Sequence, residues 1–106
     1  MYLARFSYDV LPVNRQRAID FILREVKAAR GNGLNARLLV PLTRHHDSAA
    51  LQFELELARL DQLDQFRERG VGTGEETGNW MRAFSEILVA PPVVEILRVA
   101  EAQPAS

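Results

Sequence analysis

The 106-residue sequence predicts an α+β fold whose elements run β-α-β-β-α-β. Three patterns carry the prediction. Apolar and polar residues alternate at 2–10 and again at 51–57. A helical apolar stripe runs through 15–30. A second helical stretch stops at Pro91-Pro92, just before the β-branched run 93–99.

The first strand, 2–10, places Tyr2, Ala4, Phe6 and Tyr8 on one face and Arg5, Ser7 and Asp9 on the other. Pro12 ends it and Asn14 is a suitable helix N-cap. The helix 15–30 lines up Ile19, Ile22, Leu23 and Val26 against Arg17, Asp20, Arg24 and Lys27. Gly31-Asn32-Gly33 then provides residues that tolerate a left-handed stop. A short β-prone run at 36–42, a polar connection at 44–50 and the alternating run 51–57 read as a hairpin. Asp61 starts a short helix through Leu63 and Phe66 to Arg69, which Gly70-Val71-Gly72-Thr73-Gly74 must break. Thr73 and Glu76 have capping-box spacing for the next helix, on which Trp80, Phe84, Ile87 and Leu88 recur at helical intervals.

In the usual split arrangement this order gives a ferredoxin-like, four-stranded antiparallel sheet with strands 1 and 3 central and both helices on one face. Phe6, Tyr8, Phe53 and Leu55 are then expected beneath Ile22, Trp80 and Phe84. Leu3, Leu39, Val94 and Ile96 are expected on or near the uncovered face. The chain length fits one domain, assigned to 1–100, with 101–106 as a short polar tail.

Composition narrows the function. With 13 basic and 14 acidic residues the net charge is −1, so no strong field exists to draw in phosphate backbones, and nucleic acid is not an expected partner. The central strand Phe53-Glu54-Leu55-Glu56 also lacks the basic Gly-aromatic signature of RNA-recognition modules built in the same order. The absence of cysteine removes disulfides, thiolate metal sites and cysteine nucleophiles. No apolar run approaches the ~20 residues of a membrane helix, so no membrane partner is expected and the expected location is cytoplasmic.

The polar faces of the central strands bring Arg5, Ser7 and Asp9 beside Gln52, Glu54 and Glu56. This is a candidate polar floor, on which Arg5 orients an oxygen-bearing ligand and a desolvated carboxylate such as Glu54 acts as a general base. The same residues also fit a solvated sheet face or charge pairs that fix a dimer register; Arg37 and Arg98 are weaker additions. His45 and His46 lie in the hairpin connection, where an imidazole reaching over a cavity mouth would serve as a general base, while a solvated loop is the better account of them. No third ligand stands at metal-binding spacing, so neither metal nor other cofactor is expected. Trp80 is a candidate ligand contact that core packing also explains. The glycines at 70–74 do not make a phosphate cradle, because no strand precedes them and Glu75 and Glu76 would repel an anion.

Taken with the hairpin at 36–57 and the ending in which Trp80, Phe84 and Ile87 lead through Pro91-Pro92 into Val93-Val94-Glu95-Ile96-Leu97, the chain resembles the dimeric α+β barrel superfamily. That superfamily includes stress-responsive A/B barrel proteins, NIPSNAP-like proteins and antibiotic-biosynthesis monooxygenases. The resemblance implies a homodimer whose two sheets face each other across a cavity for a hydrophobic small molecule. It implies either a cofactor-independent monooxygenase, cyclase or isomerase acting on an aromatic or polyketide-like compound, or a noncatalytic ligand-binding or stress-associated dimer. It transfers no catalytic residue.

Overall fold

The computed structural model describes residues 1–43, 50–69 and 82–100. Within them β1 (Tyr2–Tyr8), α1 (Arg15–Gly31), β2 (Asn35–Leu39), β3 (Leu51–Leu57), α2 (Asp61–Arg69) and β4 (Val93–Arg98) follow one another, with a helical segment at 82–87 before β4. The strands form one four-stranded sheet in the order β2-β3-β1-β4, and every neighbouring pair is antiparallel. The ferredoxin-like arrangement expected from the alternating pattern is the one observed.

Several boundaries differ from the expectation, each for a local reason. β1 stops at Tyr8, and Val10 instead makes an isolated bridge to Leu88, supported by Val89 N–H donating to Asp9 O at 2.9 Å. Leu88 therefore belongs to this bridge and not to the helix. β2 ends at Leu39, short of Pro41, which has no N–H to give a ladder. Asn14 occupies the N-cap position of α1, but its side chain makes no capping bond; a 3-10 turn, Pro12–Asn14, leads into the helix. The helix C-terminus closes as a Schellman turn: Leu34 N–H donates to Ala29 O and Gly33 N–H to Arg30 O, both at 3.0 Å, with Gly33 at φ +80°.

The core lies between the sheet and the helices. Ala4 and Tyr8 of β1, Phe53, Leu55 and Leu57 of β3, and Ala18, Ile22, Val26 and Ala29 of α1 share one buried cluster with Leu63, Phe66, Phe84 and Ile87. Phe6 packs against it, its ring 5.6 Å from that of Phe53. The buried stripe of α1 is rotated from the expected one: its alanines face the sheet, where helix and strand approach closely, and Leu23 is 47% exposed. Trp80 lies outside the described residues, as do Thr73, Glu76 and the 101–106 tail.

β4 requires a second correction. Val94 pairs with Phe6 and Ile96 with Ala4, so both belong to the helix-side face and not to the open one. Directly opposed residues of an antiparallel pair point to the same side of the sheet. Both remain exposed, at 43% and 45%, because α1 packs over β2 and β3 at the other edge.

Candidate functional site

The face of the sheet opposite the core is built from three cross-strand rows, read directly from the register. The middle row runs Arg37, Glu54, Arg5, Glu95 across β2, β3, β1 and β4, alternating in charge. On one side of it lie Leu39, Gln52, Ser7 and Val93; on the other, Asn35, Glu56, Leu3 and Leu97. Period-two alternation in β1 and β3 puts the charged residues here by the same rule that puts Phe53 and Leu55 in the core.

Glu54 is the centre of this face. Arg5 donates from Nε and Nη2 to its Oε2 at 3.1 and 3.0 Å, and Arg37 donates from Nη2 to its Oε1 at 2.6 Å. The Glu54 side chain is 2% exposed, whereas those of Arg5 and Arg37 are 32% and 56% exposed. Burial disfavours the Glu54 carboxylate, but the hydrogen bonds and charges of Arg37 and Arg5 outweigh it and hold the carboxyl below its ordinary range. Arg37 is in turn raised by its bond to Glu54. A carboxylate fixed in this way aims two guanidinium groups; it is poorly suited to accept a proton. Around it, Gln52 Nε2 donates to Ser7 Oγ at 3.1 Å and Asn35 Nδ2 to Glu56 Oε2 at 3.0 Å.

Of the residues singled out from sequence, Arg5, Ser7, Glu54 and Glu56 thus meet on one face, joined by Arg37. Arg98 does not: it pairs with Tyr2 and so belongs to the helix-side face. Asp9 lies past the end of β1, exposed, and joins the structure through its backbone carbonyl. His45, His46 and Trp80 lie outside the described residues. Among the described residues no group of three or more His, Cys, Asp or Glu could hold a metal ion, and no helix is long and apolar enough to cross a membrane.

One pair escaped the sequence reading. Glu25 of α1 accepts a hydrogen bond from Tyr8 Oη at 3.4 Å, within the layer between helix and sheet. Burial pushes the Glu25 carboxyl up to about 8, against the lowering effect of the bond to Tyr8. The Tyr8 phenol is raised far above its usual value by burial first, then by the charge and hydrogen bond of Glu25. The available signal was spacing, since Glu25 stands three residues after Ile22 and four before Ala29, on the flank of the buried stripe.

No family model matches the chain, and no curated protein does. Solved structures do. Rv0793 from Mycobacterium tuberculosis superimposes with a TM-score of 0.69 at 17% identity over 100% of both chains. A conserved protein from Methanosarcina mazei Go1 gives 0.65 at 16% identity over 92% of both chains. The chain shares their fold. A protein from Caulobacter crescentus CB15, provisionally named an antibiotic biosynthesis monooxygenase, has it too, with a TM-score of 0.60 at 21% identity over 94% of this chain and 90% of that one. The α+β architecture expected from the resemblance is therefore found in a protein of that provisional name.

Proposed function

We propose that two copies of this chain pack with their open sheet faces opposed, and that the space between them binds a small molecule bearing an anionic or strongly polar oxygen. Arg5 and Arg37 are its anchors and Glu54 is their tether. The observation that carries this reading is the middle row of the open face, where one almost fully covered carboxylate engages two guanidinium groups that still expose N–H donors. Leu3 and Leu97 at one side and Leu39 and Val93 at the other give the face apolar margins. Such a mixture suits an aromatic or polyketide-like ligand better than a purely charged one.

In this reading Glu54 is not the proton acceptor of any reaction at the face. That role, in an enzyme acting by proton transfer or oxygenation, falls to Glu56, Glu95 or one of His45 and His46. A second reading is favoured by the same short contacts: the row is a structural ion-pair network that fixes the register of a noncatalytic dimer.

Native mass spectrometry of protein purified without added ligand separates the two. The ligand-binding reading predicts twice the chain mass plus a retained small molecule, lost from Arg5→Leu and Arg37→Leu while the dimer persists. A bare dimer that both substitutions weaken supports the structural network, and a bare monomer contradicts both.

A further inference from the structure

β4 is an edge of the sheet, and among the described residues no strand pairs with its outer side. Which of its backbone groups face outward follows from one bond: Val99 N–H donates to Met1 O at 3.0 Å, one step beyond the Tyr2–Arg98 pair. Directly opposed residues of an antiparallel pair exchange hydrogen bonds at every second position. Leu97, Glu95 and Val93 therefore bond to Leu3, Arg5 and Ser7, while the N–H and C=O groups of Val94, Ile96 and Arg98 point away from β1. The other edge of the sheet is guarded. By the same alternation Ala36 of β2 faces outward, and its carbonyl accepts bonds from Arg30 Nε and Nη2 of α1 at 3.2 and 3.0 Å. Among the described residues β4 has no such cover. It pairs with β1 without a bulge, contains no proline, and exposes Val94 and Ile96 at 43% and 45%.

We propose that β4 is a docking edge for β4 of a second copy, paired antiparallel about a two-fold axis at Ile96. In that register Ile96 opposes its own counterpart and Val94 opposes Arg98 of the other copy, so all three outward positions of each strand find bonding partners and the two sheets join as one. An axis at Glu95 would set two like charges directly opposite each other. An axis at Leu97 would leave Val94 facing Ala100, past the end of the strand. The axis at Ile96 also lays Val94 beside the apolar stem of Arg98, so the exposed apolar strip of one copy continues into the other.

This contact uses backbone groups at the edge and none of the open face, so it stands apart from the pairing proposed above. A single strand from each copy is a smaller contact than the roughly 1,000 Å² expected of a stable interface. It therefore forms at concentrations above those at which the open faces pair.

Amide hydrogen exchange reads the edge directly. In the wild-type chain, Val94, Ile96 and Arg98 are expected to exchange fast at about 10 µM and about threefold to tenfold more slowly at about 1 mM, as mass action draws the edges together. Glu95 and Leu97, bonded to β1, are expected to be protected equally at both concentrations. Leu3→Glu is expected to keep this dependence, since it separates only the open faces. Ile96→Pro removes an outward N–H without touching a bond to β1, and Ile96→Lys sets two like charges on the axis. Each is expected to keep the circular dichroism of the folded chain and to lose the concentration dependence at Val94 and Arg98. Equal exchange of the outward amides at both concentrations, whether fast or slow, would overturn the edge pairing. So would a dependence that survives Ile96→Lys, or one abolished by Leu3→Glu.

Discussion

Arg5 and Arg37 grip the same carboxylate from neighbouring strands, one at each oxygen of Glu54. Neither arginine is irreplaceable alone, because the other still compensates the covered charge. Arg37→Leu, at a side chain that is 56% exposed, is expected to change stability little. The double variant Arg5→Leu/Arg37→Leu strands Glu54 and is expected to cost about 3–5 kcal/mol, well above the sum of the single effects. Urea denaturation of the four members of the cycle measures this coupling, and additive losses would show that the carboxylate does not depend on the pair.

The core prediction rests on Phe53, which is fully buried between Phe6 and Phe66. Phe53→Ala is expected to cost about 3–5 kcal/mol, against under about 0.5 kcal/mol for the exposed Lys27→Ala. The rotated stripe of α1 adds a sharper contrast between adjacent residues. Ile22→Ala is expected to cost about 2–5 kcal/mol, and Leu23→Ala far less, since Leu23 is 47% exposed. Chemical denaturation decides both, and equal losses at 22 and 23 would place the helix on the sheet by the wrong face.

These contrasts show what the sequence could and could not specify. The alternation of β1 and β3 separates core from open face without ambiguity, because a one-residue error would bury Arg5 and Glu54 in the helix layer. β4 has no such alternation: Val93, Val94, Ile96 and Leu97 are apolar on both sides of Glu95, and only pairing with Phe6 and Ala4 reveals which face Val94 and Ile96 occupy. Arg37 gained its importance in the same way, through a cross-strand neighbour that spacing within its own strand does not disclose. Glu25 was missed because a single carboxylate on the flank of an amphipathic helix is the normal appearance of a solvated residue. Its hydrogen-bond partner, Tyr8, arrives from another element.

The two carboxyl groups give stability a pH dependence with opposite signs. Glu54 is held below its ordinary range, so the stability it contributes is present above the unfolded value near 4.5 and is lost as pH falls through the folded value. Glu25 is raised to about 8, so its contribution is complete below 4.5 and is lost as pH rises through about 8. Thermal midpoints are therefore expected to fall on both sides of the ordinary carboxylate range. Glu25→Gln should remove the decline between pH 5 and 8, whose slope is up to about 1.4 kcal/mol per pH unit in the wild type. An unchanged decline in that variant would assign it to other groups.

The proposed pairing of open faces is tested most directly by the mass of the protein in solution. Leu3 lies on the apolar margin of that face, opposite Glu56 and Leu97 in the register and away from the helices. In sedimentation equilibrium at micromolar concentration, the account predicts twice the chain mass for the wild type. It predicts the single chain mass for Leu3→Glu, whose circular dichroism should remain that of a folded chain. A wild-type monomer, or a dimer indifferent to a charge at position 3, would contradict it.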